Sequence, residues 1–253
     1  MGEKIVETVY IMWLRQVKKY WRSKPRMIGS LGQPILFLVA LGFGFGHIYQ
    51  QAVGGSYIDF LAPGIIAMSI LFTAMFAGIE VIWDRQFGFL KETLVAPVGR
   101  FKIMLGRTLG GATAAFLQGC VVLIITFFMG FRFTSWLMLL VAFLFMALTA
   151  IFFTALGTAL ASQLEDMQAF PLIMNFLIMP IFFLSGALFP LDNIPKALDI
   201  VTRFDPLTYT VDGLRGALTG VSHLGIVTDL AISFVLTVIV LAIGSYSFSK
   251  IEI

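Results

Sequence analysis

The chain has 253 residues, of which 59% are hydrophobic and only 12% are charged, and its mean hydropathy is +0.95. This composition excludes an ordinary water-soluble domain, whose surface needs a larger polar fraction. The 26 Phe and 12 Met residues indicate that most side chains face lipid or other apolar helices. We therefore predict an all-α, multi-pass membrane protein that is surrounded by lipid and has no nucleic-acid partner.

The first predicted element, residues 1–26, is a helix that lies in the cytoplasmic interface of the membrane. Ile5, Val9 and Trp13 recur at helical spacing, while the charges within residues 3–22 gather on the other side. A helix with this many charges cannot cross the membrane, and its amphipathic pattern is typical of an interfacial helix. A plain anchor and a docking site for a partner both explain the pattern.

Six uncharged runs that are long enough to cross about 30 Å of hydrocarbon as helices follow. They cover residues 27–46, 60–79, 108–131, 133–164, 167–191 and 230–249. Lys and Arg concentrate in the N-terminal segment and in the connection after the second run. Because cytoplasmic loops carry an excess of these residues, we predict that both termini are cytoplasmic and that the protein lies in the plasma or inner membrane.

The connection between the second and third runs is charged and also patterned with apolar residues. A helix that begins at about Asp84 would place Phe87, Leu90 and Leu94 on one face, and Pro97 would end it. An apolar stripe beside charged residues suits a groove in a partner protein. A helix that inserts its Phe side chains among lipid headgroups explains the same spacing.

Residues 192–220 are too charged to cross the membrane and too regular to be a plain loop. Asp192 or Asn193 can cap a first helix that is entered through Pro195, and Asp205-Pro206 can start a second one. The predicted topology places this pair on the outer side. Such helices can dip into the bilayer as a re-entrant or gate segment if protein covers their backbone.

Two glycine pairs have the spacing that lets helices approach closely. They are Gly42 with Gly46 and Gly106 with Gly110. We interpret both pairs as sites of helix packing within the chain, with contact between subunits as the alternative.

The sequence has no residues arranged for catalysis or metal binding. No Gly-Lys pair is present, so the chain has no Walker A loop, and no nucleophile motif is recognisable. His47 and His223 lie far apart without carboxylate or Cys neighbours, which indicates no metal site. The predicted spans have no charges in their middles, which argues against an ion-coupled secondary transporter, although that class remains the alternative. Energy for transport would have to come from a separate subunit.

Two motifs together resemble those of a known family. The stretch FGFLKETLVAPVGRFKIMLGR, residues 87–107, resembles the cytoplasmic signature of ABC-2 type transporter permeases. The stretch FLSGALFPLDNIPKALDIVTRFDPLTYTVDGLRGAL, residues 183–218, resembles the segment before the last span in the daunorubicin-resistance type of drug exporter. Both motifs occur in the expected order along the predicted spans.

This resemblance implies that residues 1–253 form a single transmembrane domain of a half-transporter, which is not an enzyme by itself. It would pair with a second permease chain, identical or homologous, and with two separate ATP-binding subunits. ATP and Mg²⁺ would be bound by those subunits, and no cofactor by this chain. The cargo would be a hydrophobic or amphipathic drug, lipid or glycolipid-like molecule that is exported, with polysaccharide export as the alternative.

The resemblance also implies roles for particular segments. Residues 84–97 would form the coupling helix, residues 192–220 part of the outer gate, and the first, second and fifth spans the pathway. The implied coupling residues are Asp84, Arg85, Phe87, Leu90, Lys91, Glu92, Leu94 and Pro97. The pathway candidates are Gln33, Asn175 and Ser185, and the gate candidates are Pro190, Pro195, Pro206, Tyr209, Asp212 and Arg215.

Overall fold

A computed structural model of the chain describes residues 3–52, 56–89, 98–164, 166–191 and 194–250. All regular elements in these ranges are helical, which confirms the predicted all-α class. The chain begins with α1 (Glu3–Arg22), α2 (Lys24–Ala52), α3 (Tyr57–Gln86), α4 (Arg100–Phe128) and α5 (Trp136–Gln163). A broken segment follows, made of α6 (Ala169–Ile173), a π-helical turn (Met174–Ile178) and α7 (Met179–Leu184). The short helices α8 (Lys196–Phe204) and α9 (Pro206–Thr219) precede the last helix, α10 (Ile226–Ser249).

Five of these helices are long and apolar enough to cross a membrane, namely α2, α3, α4, α5 and α10. They correspond to five of the six predicted spans. Several of them extend beyond the uncharged runs; α4, for example, begins at Arg100 rather than at residue 108. The helices continue into the polar interface of the membrane. Charged residues such as Lys and Arg are good helix formers there, although the hydrocarbon core would exclude them.

The predicted span 167–191 differs from the other five. Its helical part, Ala169–Leu184, is shorter and apolar, and at 1.5 Å per residue it covers only about 24 Å. The π-helical turn ends two residues before Pro180, which has no N–H to donate and so disturbs the regular ladder of helical hydrogen bonds. The segment ends at the turn Ser185–Gly186, where Gly186 has a φ of +74°. Backbone irregularity of this kind is tolerated at membrane depth where protein covers it.

The helix α3 lies at the centre of the bundle, where it packs against α5, α4, α2 and α9. Its middle is almost completely buried from Leu61 to Leu71. Towards the C-terminal end of α3, Gly78 lies so close to Gly157 of α5 that a Cβ at Gly78 would collide with the Gly157 backbone. The apolar middle of α3 therefore faces protein on every side, which is how a helix that is hydrophobic all round is accommodated.

The short helices α8 and α9 confirm the two predicted amphipathic elements before the last span. Pro195 occupies the N-cap position of α8, while the predicted caps Asp192 and Asn193 lie outside the described residues. The Asp205 side chain accepts a hydrogen bond of 2.8 Å from the Leu207 N–H and so caps α9. The two helices differ in burial, because α9 lies inside the bundle whereas α8 exposes Phe204 and Ile200.

Candidate coupling and substrate sites

Two carboxylates lie one turn apart near the end of α3. Glu80 and Asp84 are only 7% and 5% exposed, although the rest of this helix is largely apolar. Their i, i+4 spacing places both on the same face of the helix. A buried carboxylate is stable only if cations or hydrogen-bond donors surround it, and the structure supplies them from three other helices.

Each carboxylate is paired with more than one cation. The Nζ of Lys19 lies 3.1 Å from Oε2 of Glu80, and Arg26 pairs with the other oxygen of Glu80. The Nη2 of Arg107 lies 2.7 Å from Oδ2 of Asp84. We call these residues, with Arg15 at 3.6 Å from Asp84, the ion cluster: Arg15, Lys19, Arg26, Glu80, Asp84 and Arg107. The ion cluster therefore joins α1, α2 and α4 to the end of α3.

The helix α1 is also seated on α4 by close packing. A Cβ at Gly106 would lie 2.6 Å from Cβ of Met12, so this contact requires glycine. The indole N–H of Trp13 donates to Oγ1 of Thr113 at 2.9 Å, and the Tyr20 hydroxyl donates to Oε1 of Gln118 at 2.6 Å. The predicted packing role of the Gly106 and Gly110 pair is confirmed, because Gly110 also lies against α1.

The other glycine pair behaves differently. A Cβ at Gly42 would touch only the side chain of Ile58, at 3.4 Å, and one at Gly46 would meet open space. Close helix packing within the described chain therefore does not explain this pair. It lies on α2, which also exposes Phe43 and Phe45.

Only the first part of the predicted coupling segment lies within the described residues. Asp84 and Arg85 complete the last turn of α3 rather than opening a new helix, since α3 continues to Gln86. The chain then turns at Phe87, whose side chain is 71% exposed, and at Gly88, which has a φ of +80°. The remaining predicted coupling residues, Leu90, Lys91, Glu92, Leu94 and Pro97, lie outside the described residues.

A cavity of 370 Å³ adjoins the ion cluster, and we call it the charged-end pocket. Its walls come from the end of α1 and from α2 and α3. It is lined by Tyr20, Arg26, Gly29, Ser30, Gln33, Pro34, Ser69, Phe72, Thr73 and Phe76. Gln33, a predicted pathway residue, is among them. The broken segment borders the same region, because Phe72 and Phe76 contact Phe182 and Phe170 with ring centroids 6.2 and 6.0 Å apart.

A second cavity, of 680 Å³, lies among α9, the α9–α10 connection and the ends of α2 and α3. We call it the outer cavity because the predicted topology places residues 192–220 on the outer side. Four of the predicted site residues line it together, namely Ser185, Pro190, Asp212 and Arg215. The structure thus brings one pathway candidate and three gate candidates into one place.

Asp212 and Arg215 hold the outer cavity together through the backbone. The carboxylate of Asp212 accepts hydrogen bonds from the N–H groups of His223 and Leu224, at 2.9 and 2.8 Å. Arg215 donates to the Gly186 carbonyl at 2.8 Å, and its guanidinium lies 4.2 Å from the centroid of the Phe60 ring. These contacts connect α9 to the α9–α10 connection, to α3 and to the turn after α7.

The remaining candidates are placed apart from both cavities. Tyr209 donates to the Arg203 carbonyl at 2.6 Å. Pro195 is the N-cap residue of α8, and Pro206 is the first residue of α9. Asn175 is exposed on the π-helical turn and lines neither cavity. Among the described residues, no group of three His, Cys, Asp or Glu side chains could hold a metal ion.

The cations of the ion cluster and the hydroxyls of the charged-end pocket were not predicted as site residues from the sequence. The spacing of Glu80 with Asp84, and of Arg15 with Lys19, is a signal that was available, because i, i+4 charges lie on one face of a helix. Ser69 and Thr73 also have this spacing, but a hydroxyl within a span carries no comparable signal, since it usually bonds to its own helix.

Five apolar helices of membrane-spanning length, with a charged cluster at one end and a cavity at each end, define a multi-pass membrane protein. Residues 7–219 match the family model of the ABC-2 type transporter. The chain belongs to this family, and the resemblance seen in its sequence motifs is confirmed.

Individual relatives agree with this assignment. The chain is 32% identical to Nodulation protein J of Rhizobium leguminosarum bv. trifolii, over 83% of this chain and 78% of that protein. It is 31% identical to Nodulation protein J of Rhizobium meliloti (strain 1021), over 79% and 77% of the two chains. A protein of Cyanophora paradoxa that is described as transport permease ycf38 is 29% identical over 83% of this chain and 73% of its own length.

Proposed function

We propose that this chain is the membrane-spanning subunit of an ATP-driven exporter, and that a separate ATP-binding subunit drives it through residues 84–97. Membership of the ABC-2 type transporter family supports the transport role. The missing Walker A loop supports a separate source of energy. Two ATP-binding subunits, which bind ATP and Mg²⁺, would serve a pair of permease chains whose termini are cytoplasmic.

The observation that carries this proposal is the position of the ion cluster. Asp84 lies in the last turn of α3, at the start of the segment through which the ATP-binding subunit would act. The same carboxylate is paired with Arg107 of α4 and lies near Arg15 of α1. Because buried ion pairs lose much of their energy when one partner moves away, a displacement of this segment would move the ends of three helices together.

The exposed C-terminal half of α2 supports the pairing of two permease chains. Phe43, Phe45 and Ile48 are exposed there, and the backbone at Gly44 and Gly46 is open to a neighbour. Small residues on an apolar helix let a second helix approach closely within the membrane. The second chain could be identical or homologous.

The outer cavity supports the role of residues 192–220 as an outer gate. The hydrogen bonds around this cavity run mainly from side chains of α9 to the backbone of connecting segments. The helix α9 can therefore hold or release the α9–α10 connection as a unit. The cargo would be hydrophobic or amphipathic, which suits the apolar and aromatic lining of both cavities.

Reconstitution with and without the ATP-binding subunit tests the proposal. The permease would be purified together with the ATP-binding subunit that is captured from its native membranes, and export of a fluorescent amphipathic probe would be measured in proteoliposomes. We expect transport only with both subunits and ATP. Leu90→Asp or Glu92→Lys should reduce ATP-driven transport at least tenfold while the permease remains folded in the membrane.

The control variant is Arg132→Gln, which changes an exposed cation in the connection between α4 and α5, at the opposite end of the bundle from residues 84–97. It should leave ATP-driven transport unchanged. Transport by the permease alone under an imposed proton or sodium gradient would instead establish an ion-coupled carrier. Full ATP-driven transport in both the Leu90→Asp and the Glu92→Lys variants would exclude coupling through this segment.

A further inference from the structure

The joint between α1 and α2 carries a high density of positive charge. Residues 15–26 contain six Lys and Arg residues, and residues 8–58 contain no Asp or Glu. An open groove of 690 Å³ lies along this joint, and we call it the basic groove. It is lined by Arg15, Lys18, Lys19, Arg22, Ser23 and Pro25. Among the described residues, four cations and no carboxylate therefore line the same groove.

The ion cluster does not neutralise this charge. It contains four cations but only two carboxylates, Glu80 and Asp84, and so carries a surplus of two positive charges. Two of its cations, Arg15 and Lys19, also line the basic groove, and their side chains are 38% and 41% exposed. An anion in the groove would therefore be attracted by the ion cluster as well as by the other cations of the groove.

Three further cations at the joint are exposed and have no ion-pair partner among the described residues. They are Lys18 and Arg22, one turn apart on α1, and Lys24, the first residue of α2. Like charges at the spacing of Lys18 and Arg22 repel each other. The first turn of α2 has no acidic residue to balance the partial positive charge of its amino end. A bound anion would relieve both effects.

The surface beside the basic groove suits an apolar chain. Trp21, in the last turn of α1, is 64% exposed, and Trp side chains are enriched at the headgroup level of membranes. Along the first half of α2, Ile28 and Ile35 are exposed and share one face with Lys24. The cations thus lie next to a helix surface that hydrocarbon can cover. A lipid would use both surfaces, whereas a soluble anion would use only the cations.

We propose that the basic groove binds the headgroup phosphate of an anionic membrane lipid, whose acyl chains lie along the exposed face of α2. Lys18, Arg22 and Lys24 would contact the phosphate, since hydrogen bonds from cations to phosphate are stronger than those between neutral groups. Arg15 and Lys19 would connect the bound phosphate with the ion cluster. The inference goes beyond the proposed function, because this lipid holds α1 at the membrane and is not the cargo.

Lipid binding to the full-length permease in detergent micelles tests this inference. The permease would be titrated with a fluorescent phosphatidylglycerol, and empty micelles would measure partition into detergent. Unlabelled phosphatidylglycerol and phosphatidylcholine with the same acyl chains would be compared as competitors, with glycerol phosphate as a soluble competitor. We expect saturable binding for which phosphatidylglycerol competes and the other two do not. Added salt should weaken this binding, because it screens exposed charges.

Variants of the exposed cations locate the binding. Each cation removed from the groove should weaken binding about fivefold, the factor that corresponds to about 1 kcal/mol for each basic residue near an anionic lipid. The double variant Lys18→Gln with Arg22→Gln should therefore bind the fluorescent lipid roughly 25-fold more weakly. The matched control is Arg132→Gln with Lys196→Gln, which also removes two exposed cations, neither of which lines the basic groove. It should leave lipid binding unchanged.

Several outcomes would overturn the inference. Equal competition by phosphatidylglycerol and phosphatidylcholine would exclude a site for anionic lipid, and full competition by glycerol phosphate would assign the groove to a soluble anion. Equal lipid binding by the double variant and its control, or no saturable binding at all, would exclude the basic groove as the site. If the double variant kept its lipid binding but no longer co-purified with the ATP-binding subunit, the groove would belong to a protein partner. ATP-driven transport could persist when lipid binding fails, so the two proposals can be tested separately.

Discussion

The two ends of the bundle are held together by different interactions. At the charged end, four helices meet through ion pairs between side chains, with Glu80 and Asp84 at the centre. At the opposite end, which we call the outer end after the outer cavity, Asp212 and Arg215 bond to the backbone of connecting segments. Among the described residues, the ion pair outside the charged end joins Arg203 to Asp199 within α8 and connects no other element.

This difference indicates what each end can do. Ion pairs between rigid helices fix the relative position of those helices, so a displacement at one of them reaches the others. Hydrogen bonds from a helix to the backbone of a short connection attach that connection to the helix. The two can then move together while the other helices stay in place. The charged end is thus suited to receiving a displacement and the outer end to opening locally.

The largest expected effect comes from removing Asp84. The Arg107 side chain is 3% exposed and pairs with Asp84 at 2.7 Å, so Asp84→Ala leaves a buried cation without this partner. Loss of one partner of a buried pair destabilises a protein by about 3–5 kcal/mol. Thermal unfolding of the purified permease in detergent would measure it.

The matched control is Asp199→Ala, which removes an exposed ion pair and should cost less than about 1 kcal/mol. The double variant Asp84→Ala with Arg107→Met should recover part of the loss, since it removes the uncompensated charge as well. If Asp84→Ala and Asp199→Ala lowered the unfolding temperature equally, the ion cluster would not be the main support of the charged end.

A smaller effect is expected from Asp212 at the outer end. Asp212→Ala removes the acceptor of two backbone N–H groups, and hydrogen bonds to a charged group contribute about 1.5–3 kcal/mol. We expect faster proteolysis or hydrogen exchange in residues 220–225, with little change at α1. Tyr209→Phe loses one bond near the surface and serves as the control. If protection from proteolysis or hydrogen exchange were lost equally at both ends of the bundle, the charged end and the outer end would not be independent.

The smallest expected effect is a pH dependence at Asp205. Burial raises the pKa of this carboxyl from 3.8 to about 7, although hydrogen bonds from Leu207 and Thr208 oppose the shift. The folded protein therefore keeps a proton that the unfolded chain has already released, so stability is greatest below pH 3.8 and falls as the pH rises through about 7. Between pH 6 and 8 the loss is about 1 kcal/mol.

Thermal unfolding at several pH values, compared between the natural chain and Asp205→Asn, would measure this effect. The amide oxygen of Asn keeps the bond from Leu207 that caps α9 but does not titrate, so the variant should be less sensitive to pH. An identical pH dependence in both proteins would assign the effect to another group.

Particular residues show how far the sequence could be interpreted. The short helices α8 and α9 were predictable because Pro195 and Asp205-Pro206 are strong local start signals. The short length of Ala169–Leu184 was not, since an apolar run does not reveal where a π-helical turn and Pro180 will disturb the ladder. Gln33 and Asn175 looked alike as polar residues within spans, yet only Gln33 lines a described cavity.

The sequence by itself determined the membrane class, the family and the approximate helices, because these depend on composition, on local periodicity and on contiguous motifs. The tertiary structure decided which charges meet and which polar groups share a cavity. Arg15 and Lys19 reach Glu80 and Asp84 only when α1 is seated on α4 at Gly106 and Gly110. Arg26 and Arg107 reach the same carboxylates from α2 and α4. Contacts between residues that are distant in sequence depend on how the helices pack against each other. The local patterns of a single sequence do not reveal that packing.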